Sequence, residues 1–103
     1  MEEKVERPII GKYGLYGDKK LEYMKRWQPQ LYVHLVARGQ LEQYLLDLDQ
    51  EVAEKISDLT EELGKQQGAT FQLRKENPLL WAGIMTNCKH QAREIVLNEL
   101  VYN

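Results

Sequence analysis

Seven aliphatic side chains recur at spacings of three and four residues over a 23-residue stretch that contains neither proline nor glycine. The spacings are 4, 3, 4, 4, 3 and 4, which is the period of an α-helix kept for about six turns. The seven are Leu41, Leu45, Leu48, Val52, Ile56, Leu59 and Leu63. They predict an amphipathic helix over about 40–66 with one buried face.

A second helical pattern follows a turn at 65–69 and continues to about residue 101. Thr70 is a suitable N-cap for it, because its hydroxyl can accept from an unpaired backbone N–H. Pro78 leaves two alternatives open: a kinked helix, or a separate short helix over 70–77. Two long helices joined by a short loop predict an antiparallel hairpin over 40–101.

The first 17 residues are predicted to be an arm and a loop, because glycines at 11, 14 and 17 disfavour a regular helix. Asp18 is the expected N-cap of a helix over 18–27, and Pro29 starts a second helix that ends near Gly39. The predicted fold is all-α: a single helical domain, 1–103, with two short N-terminal helices packed on a long antiparallel helical hairpin.

The composition is that of one small globular domain, with 103 residues, 43% hydrophobic and 29% charged. The single cysteine excludes an intramolecular disulfide. The segment from Met1 to Lys4 has no apolar core of the signal-peptide kind, and no apolar run approaches the roughly 18 residues of a membrane span. We therefore expect a cytoplasmic protein without membrane contact.

Charge is distributed unevenly along the chain. Residues 1–40 carry eight Lys/Arg and five Asp/Glu, whereas residues 41–62 carry one Lys and eight Asp/Glu. The basic segment holds the candidate phosphate contacts Lys12, Lys19, Lys20, Lys25, Arg26 and Arg38. Clustered cations bind nucleic acid, while the alternative is a solvated face or pairing with the acidic helix.

Three helices joined by tight turns also suggest a helix-turn-helix. The third helix, however, carries Glu42 and Asp47 in its first turns, where a recognition helix enters the major groove. Because these carboxylates repel phosphate, any DNA contact is expected on the first two helices or the arm.

No constellation for catalysis, metal binding or a cofactor is apparent, and we expect neither an enzyme nor a small-molecule substrate. His90 and Glu94 are one turn apart on a helix, but zinc sites usually need three or four converging ligands. Cys88 lies on the apolar face and is expected to be a buried small residue. Trp27, Trp81 and the tyrosines occur at helical spacing, which favours core positions over stacking on bases.

Three segments of the chain resemble the TnpV family of transposon-encoded proteins from bacterial mobile elements. They are Ile10-Gly11-Lys12-Tyr13-Gly14; Gly39-Gln40-Leu41 leading into Leu48-Asp49; and Glu76-Asn77 with Trp81 through Ile95-Val96-Leu97-Asn98-Glu99-Leu100-Val101-Tyr102-Asn103. The resemblance covers roughly residues 8–103, and its C-terminal segment is the most specific part. Pro78 departs from the family pattern and puts the continuity of the last helix in question.

The resemblance implies a non-enzymatic accessory protein of a transposon, with an excisionase-like role and contacts to DNA or to the element's recombinase. It brings no catalytic residues. The alternative from the residues themselves is a protein-interaction module that homodimerises through its long hairpin without contacting nucleic acid, because long helices offer more apolar surface than two short helices cover.

Overall fold

The computed structural model describes residues 12–103, and these residues are helical with no strand. The predicted all-α class is therefore confirmed for the described residues. The predicted arm at 1–11 lies outside them. The elements are α1 (Gly14–Trp27), α2 (Pro29–Ala37), α3 (Leu41–Gln66), α4 (Phe71–Glu76), α5 (Pro78–Val96) and a π-helix (Leu97–Val101).

Helices α3 and α5 form the main contact and run in opposite directions. Val52 and Ile56 of α3 pack with Ala92 and Val96 of α5, and Val101 completes this buried cluster. Farther along α3, a side chain on Gly64 would meet Met85 of α5. Residue numbers therefore rise on one helix as they fall on the other. Helix α1 packs mainly on α3, and α2 packs mainly on α1.

Helix α1 begins four residues earlier than the sequence predicted. Residues 14–17 are helical, and Asp18 lies inside the helix, where its carboxylate accepts from the backbone N–H of Tyr13 at 3.3 Å. The loop prediction is wrong for residues 14–17, because the capping group of the helix is distant in sequence. Asp49 Oδ1, on α3, accepts from the backbone N–H groups of Tyr16 (2.8 Å) and Gly17 (3.1 Å).

The glycines of this segment allow the close approach of α1 to α3. A Cβ on Gly17 would lie 2.9 Å from the backbone oxygen of Leu45, closer than real Cβ contacts. A Cβ on Gly14 would overlap the Asp49 carboxylate itself. The glycine spacing that disfavours an isolated helix is thus what permits this helix to dock.

The turns follow local sequence signals closely. Gly39 has φ +68°, and the N–H groups of Gly39 and Gln40 donate to the carbonyls of Val36 (3.0 Å) and Leu35 (2.9 Å). This is a Schellman motif, which requires a residue with positive φ after the helix. Thr70 caps α4 as predicted, since its Oγ1 accepts from the N–H of Leu73 at 3.1 Å.

The chain forms two separate helices on either side of Asn77 rather than one helix kinked at Pro78. Helix α4 ends at Glu76, and Asn77 caps α5 by accepting from the N–H of Leu80 at 3.2 Å. Pro78 takes the first position of α5, where its missing N–H costs nothing. The last helix also does not run regularly to residue 101, because a π-helix replaces it from Leu97.

None of the helices in residues 12–103 combines the length and the apolar character that crossing a membrane requires.

Candidate nucleic-acid interface

Helix α1 carries four of the six cations predicted as phosphate contacts. Its buried side faces α3 and the π-helix and holds Gly17, Lys20 and Met24. Lys25 and Arg26 are exposed, and Lys19 is half-buried. The helix is held in place by the Asp49 cap at one end and by buried Met24 near the other.

Lys20 does not contribute to an exposed basic surface. Only 4% of the residue is exposed, and its Nζ donates to the backbone oxygen of Val101 at 3.1 Å. Burial lowers the pKa of this ammonium group. The Nζ also lies 5.2 Å from the ring centroid of Tyr23. Lys20 therefore links α1 to the π-helix, and its ammonium group is not available to a phosphate.

Lys12 and Lys25 line one groove of about 420 Å³. Each ammonium group lies over a tyrosine ring: Lys12 is 5.3 Å from the centroid of Tyr13, and Lys25 is 5.7 Å from that of Tyr32. Asp18, Leu21, Glu22 and Leu41 also line it. The two carboxylates offset the two cations, so this groove has little net charge to offer a phosphate.

Lys19 and Arg26 line a second groove of about 450 Å³, which we call the Trp27 groove. Its other lining residues are Glu22, Tyr23, Trp27 and Tyr102. The Arg26 guanidinium carbon is 6.0 Å from the ring centroid of Trp27. The rings of Tyr23 and Tyr102 meet at a centroid distance of 5.6 Å and an angle of 60°. Two cations and three aromatic rings thus face one groove with a single carboxylate.

The six predicted cations therefore do not form one patch. Four of them line two separate grooves, and Glu22 lines both grooves, while Lys20 is buried. Arg38 is exposed at the C-cap of α2 and lines neither of these grooves.

Trp27 is the functional candidate that the sequence prediction placed wrongly. It was expected in the core but is 66% exposed. The sequence spacing indicates this exposure, because Leu21, Met24 and Trp27 are each three residues apart. Three residues rotate about 300° around a helix, about 60° less than a full turn. Met24 is fully buried, so the next step turns Trp27 out of the core.

The acidic residues of the long helix α3 are exposed, except for Asp49, which is half-buried and caps α1. The buried side chains of α3 are apolar, and Glu51, Glu54, Asp58, Glu61 and Glu62 are exposed. Burial raises the pKa of Tyr44, near its start. This outer face repels phosphate, so the electrostatic argument against α3 as a recognition helix holds for the folded chain.

The remaining chemical candidates do not assemble into a site within residues 12–103. Cys88 is fully buried, as predicted, while His34 and His90 are exposed. No three of the described His, Cys, Asp and Glu side chains lie together as metal ligands would.

The junction of α4 and α5 carries exposed apolar side chains and two contacts between a cation and an aromatic ring. Phe71 is 71% exposed, Leu79 86% and Leu80 50%. The Arg74 guanidinium carbon is 4.8 Å from the ring centroid of Trp81, and the Lys75 ammonium is 5.4 Å from that of Phe71. We call this surface the α4–α5 corner.

Comparison with known proteins identifies the family. A search of curated proteins and a search of solved structures found no match. The family model described as "Transposon-encoded protein TnpV" matches residues 2–101, nearly the whole chain. The resemblance drawn from the three sequence segments is thereby confirmed, and the chain belongs to the TnpV family of transposon-encoded proteins.

Proposed function

We propose that this transposon-associated protein is a non-enzymatic accessory factor that contacts DNA through the Trp27 groove, in an excisionase-like role. One observation supports the proposal. Lys19 and Arg26 of α1 line the same groove, and none of the acidic residues of α3 lines it. Two cations seven residues apart follow one helix face and can contact neighbouring phosphates.

The double charge reversal Lys19→Glu/Arg26→Glu should weaken binding to duplex DNA from the transposon ends roughly tenfold or more at low salt. The slope of log affinity against log salt concentration should fall by about two, one for each lost phosphate contact. Fluorescence anisotropy with a labelled duplex, at several salt concentrations, measures both quantities.

A matched control is Lys55→Glu/Lys89→Glu, which changes the net charge equally at two exposed lysines on α3 and α5. We expect it to keep the salt slope of the native protein. Equal losses in the two double variants would show that only net charge matters. Absence of binding by the native protein at low salt would overturn the DNA proposal, and a pull-down with the recombinase would then test the other partner.

The α4–α5 corner supports a second proposal, that two copies of the protein associate. Much of the apolar stripe of α3 is already covered by α1 and α5 within one chain. The most exposed apolar side chains of the described residues, those of Leu79 and Phe71, are at this corner instead. The two residues belong to consecutive helices separated only by Asn77, and exposed apolar side chains mark candidate interaction sites.

If the protein homodimerises, Phe71→Glu/Leu79→Glu should make it monomeric at concentrations where the native protein is dimeric, because two carboxylates would be buried in the interface. Sedimentation velocity over a concentration series measures this. Leu46→Glu, at a leucine of α3 that is 40% exposed, is the control and should leave the dimer intact. A native protein that is monomeric at every concentration would exclude this proposal.

A further inference from the structure

The indole of Trp27 offers a flat, exposed surface beside two cations. Trp27 is 66% exposed and is the last residue of α1, after which Gln28 and Pro29 lead the chain into α2. An exposed tryptophan gains little from its position in the fold, since its area is not buried. Its place in a basic groove therefore points to a ligand with an aromatic face.

A second exposed ring lies in the same groove. Tyr102 is 42% exposed and is held against Tyr23, whose ring is half-buried. The bond from Lys20 to Val101 fixes the backbone immediately before Tyr102. Trp27 and Tyr102 thus present two rings, each attached to a fixed part of the backbone.

Nucleobases have the aromatic face that these rings can stack on, but only when they are unpaired and unstacked. In a duplex the faces are covered by neighbouring base pairs and only the base edges reach the grooves. Single-strand binding proteins combine a cationic groove with aromatic side chains for this reason. Arg26, beside Trp27, can add a guanidinium plane to the same stack.

We propose that the Trp27 groove binds single-stranded DNA, with one base stacked on Trp27, a second on Tyr102, and phosphates beside Lys19 and Arg26. This inference rests on the proposed DNA contact and specifies its substrate as unpaired strands, such as those at an opened transposon end. Glu22 is three residues after Lys19 and four before Arg26 on the same helix, so its carboxylate lies between the two cations and disfavours phosphate at that point of the groove.

The test compares a thymidine oligonucleotide with a duplex of the same length at one salt concentration. Trp27→Ala should weaken oligonucleotide binding about tenfold while duplex affinity changes less than about twofold, because stacking is lost and phosphate contacts are kept. Trp27→Phe should recover part of the loss. In a Trp81→Phe background, the fluorescence of Trp27 should be quenched by the oligonucleotide.

Val33→Ala is the control, because Val33 is 61% exposed on α2 and lines neither groove of α1. It should leave both affinities unchanged. Equal affinities of native protein and Trp27→Ala for the oligonucleotide, with Lys19→Glu/Arg26→Glu still defective on duplex, would overturn this inference and leave the proposed function standing. A native protein that binds neither nucleic acid would overturn both.

Discussion

Replacement of Leu45 by alanine is expected to lower the free energy of unfolding by about 3 kcal/mol. Leu45 is fully buried on α3, and its backbone oxygen faces Gly17 of α1. Removing its side chain leaves a cavity in the core, which rigid helices cannot fill by a small shift. For a domain of this size the melting temperature should fall by more than roughly 10 °C.

Leu46→Ala provides the matched control, because the same side chain is removed one residue along the same helix. Leu46 is 40% exposed, so its truncation should cost less than about 1 kcal/mol. Urea denaturation of both variants and the native protein measures the difference. Equal losses for the two leucines would contradict the placement of Leu45 in the core.

Gly17→Ala is expected to destabilise the protein by about 2 kcal/mol, although alanine is the better helix former. The added methyl group would be 2.9 Å from the backbone oxygen of Leu45, which cannot rotate away. Helix α1 must therefore move from α3, and this lengthens the hydrogen bonds that Asp49 accepts from Tyr16 and Gly17.

Gly83→Ala tests the same substitution without the contact. Gly83 is exposed inside α5, and a Cβ there meets nothing within 4 Å. Helix propensity should then act alone and stabilise the protein by up to about 1 kcal/mol. Thermal unfolding followed by circular dichroism should show opposite signs for the two variants. A gain in stability for Gly17→Ala would refute the close approach of α1 to α3.

The sequence predicted those features that depend on neighbours in the chain. Thr70 and Leu73 are three residues apart, and so are Asn77 and Leu80, so these caps are local chemistry. Gly39 ends α2 because its own backbone adopts the positive φ that the Schellman motif needs. The 3.6-residue period likewise defined α3 almost to the residue.

Features that depend on distant partners were missed. The side chain that caps α1 belongs to Asp49, more than thirty residues from the start of the helix. No local sequence pattern therefore predicts that residues 14–17 are helical. Lys20 looked like one more surface cation, and only the position of Val101 shows that it is buried. The candidate site is therefore a groove with two cations and an exposed tryptophan, not a patch of six cations.

The hydrogen bond between Lys20 and Val101 also bears on the order in which the chain can fold. It joins positions 81 residues apart and so closes a loop that contains α2 to α5. Closing a long loop costs conformational entropy before the contact can stabilise the chain. Contacts between residues that are far apart in sequence therefore slow folding. We expect the contact between α1 and the π-helix to be a late kinetic step, after α3 has paired with α5. The Trp27 groove, which contains Tyr102 from one side and α1 from the other, then exists only in the fully folded chain.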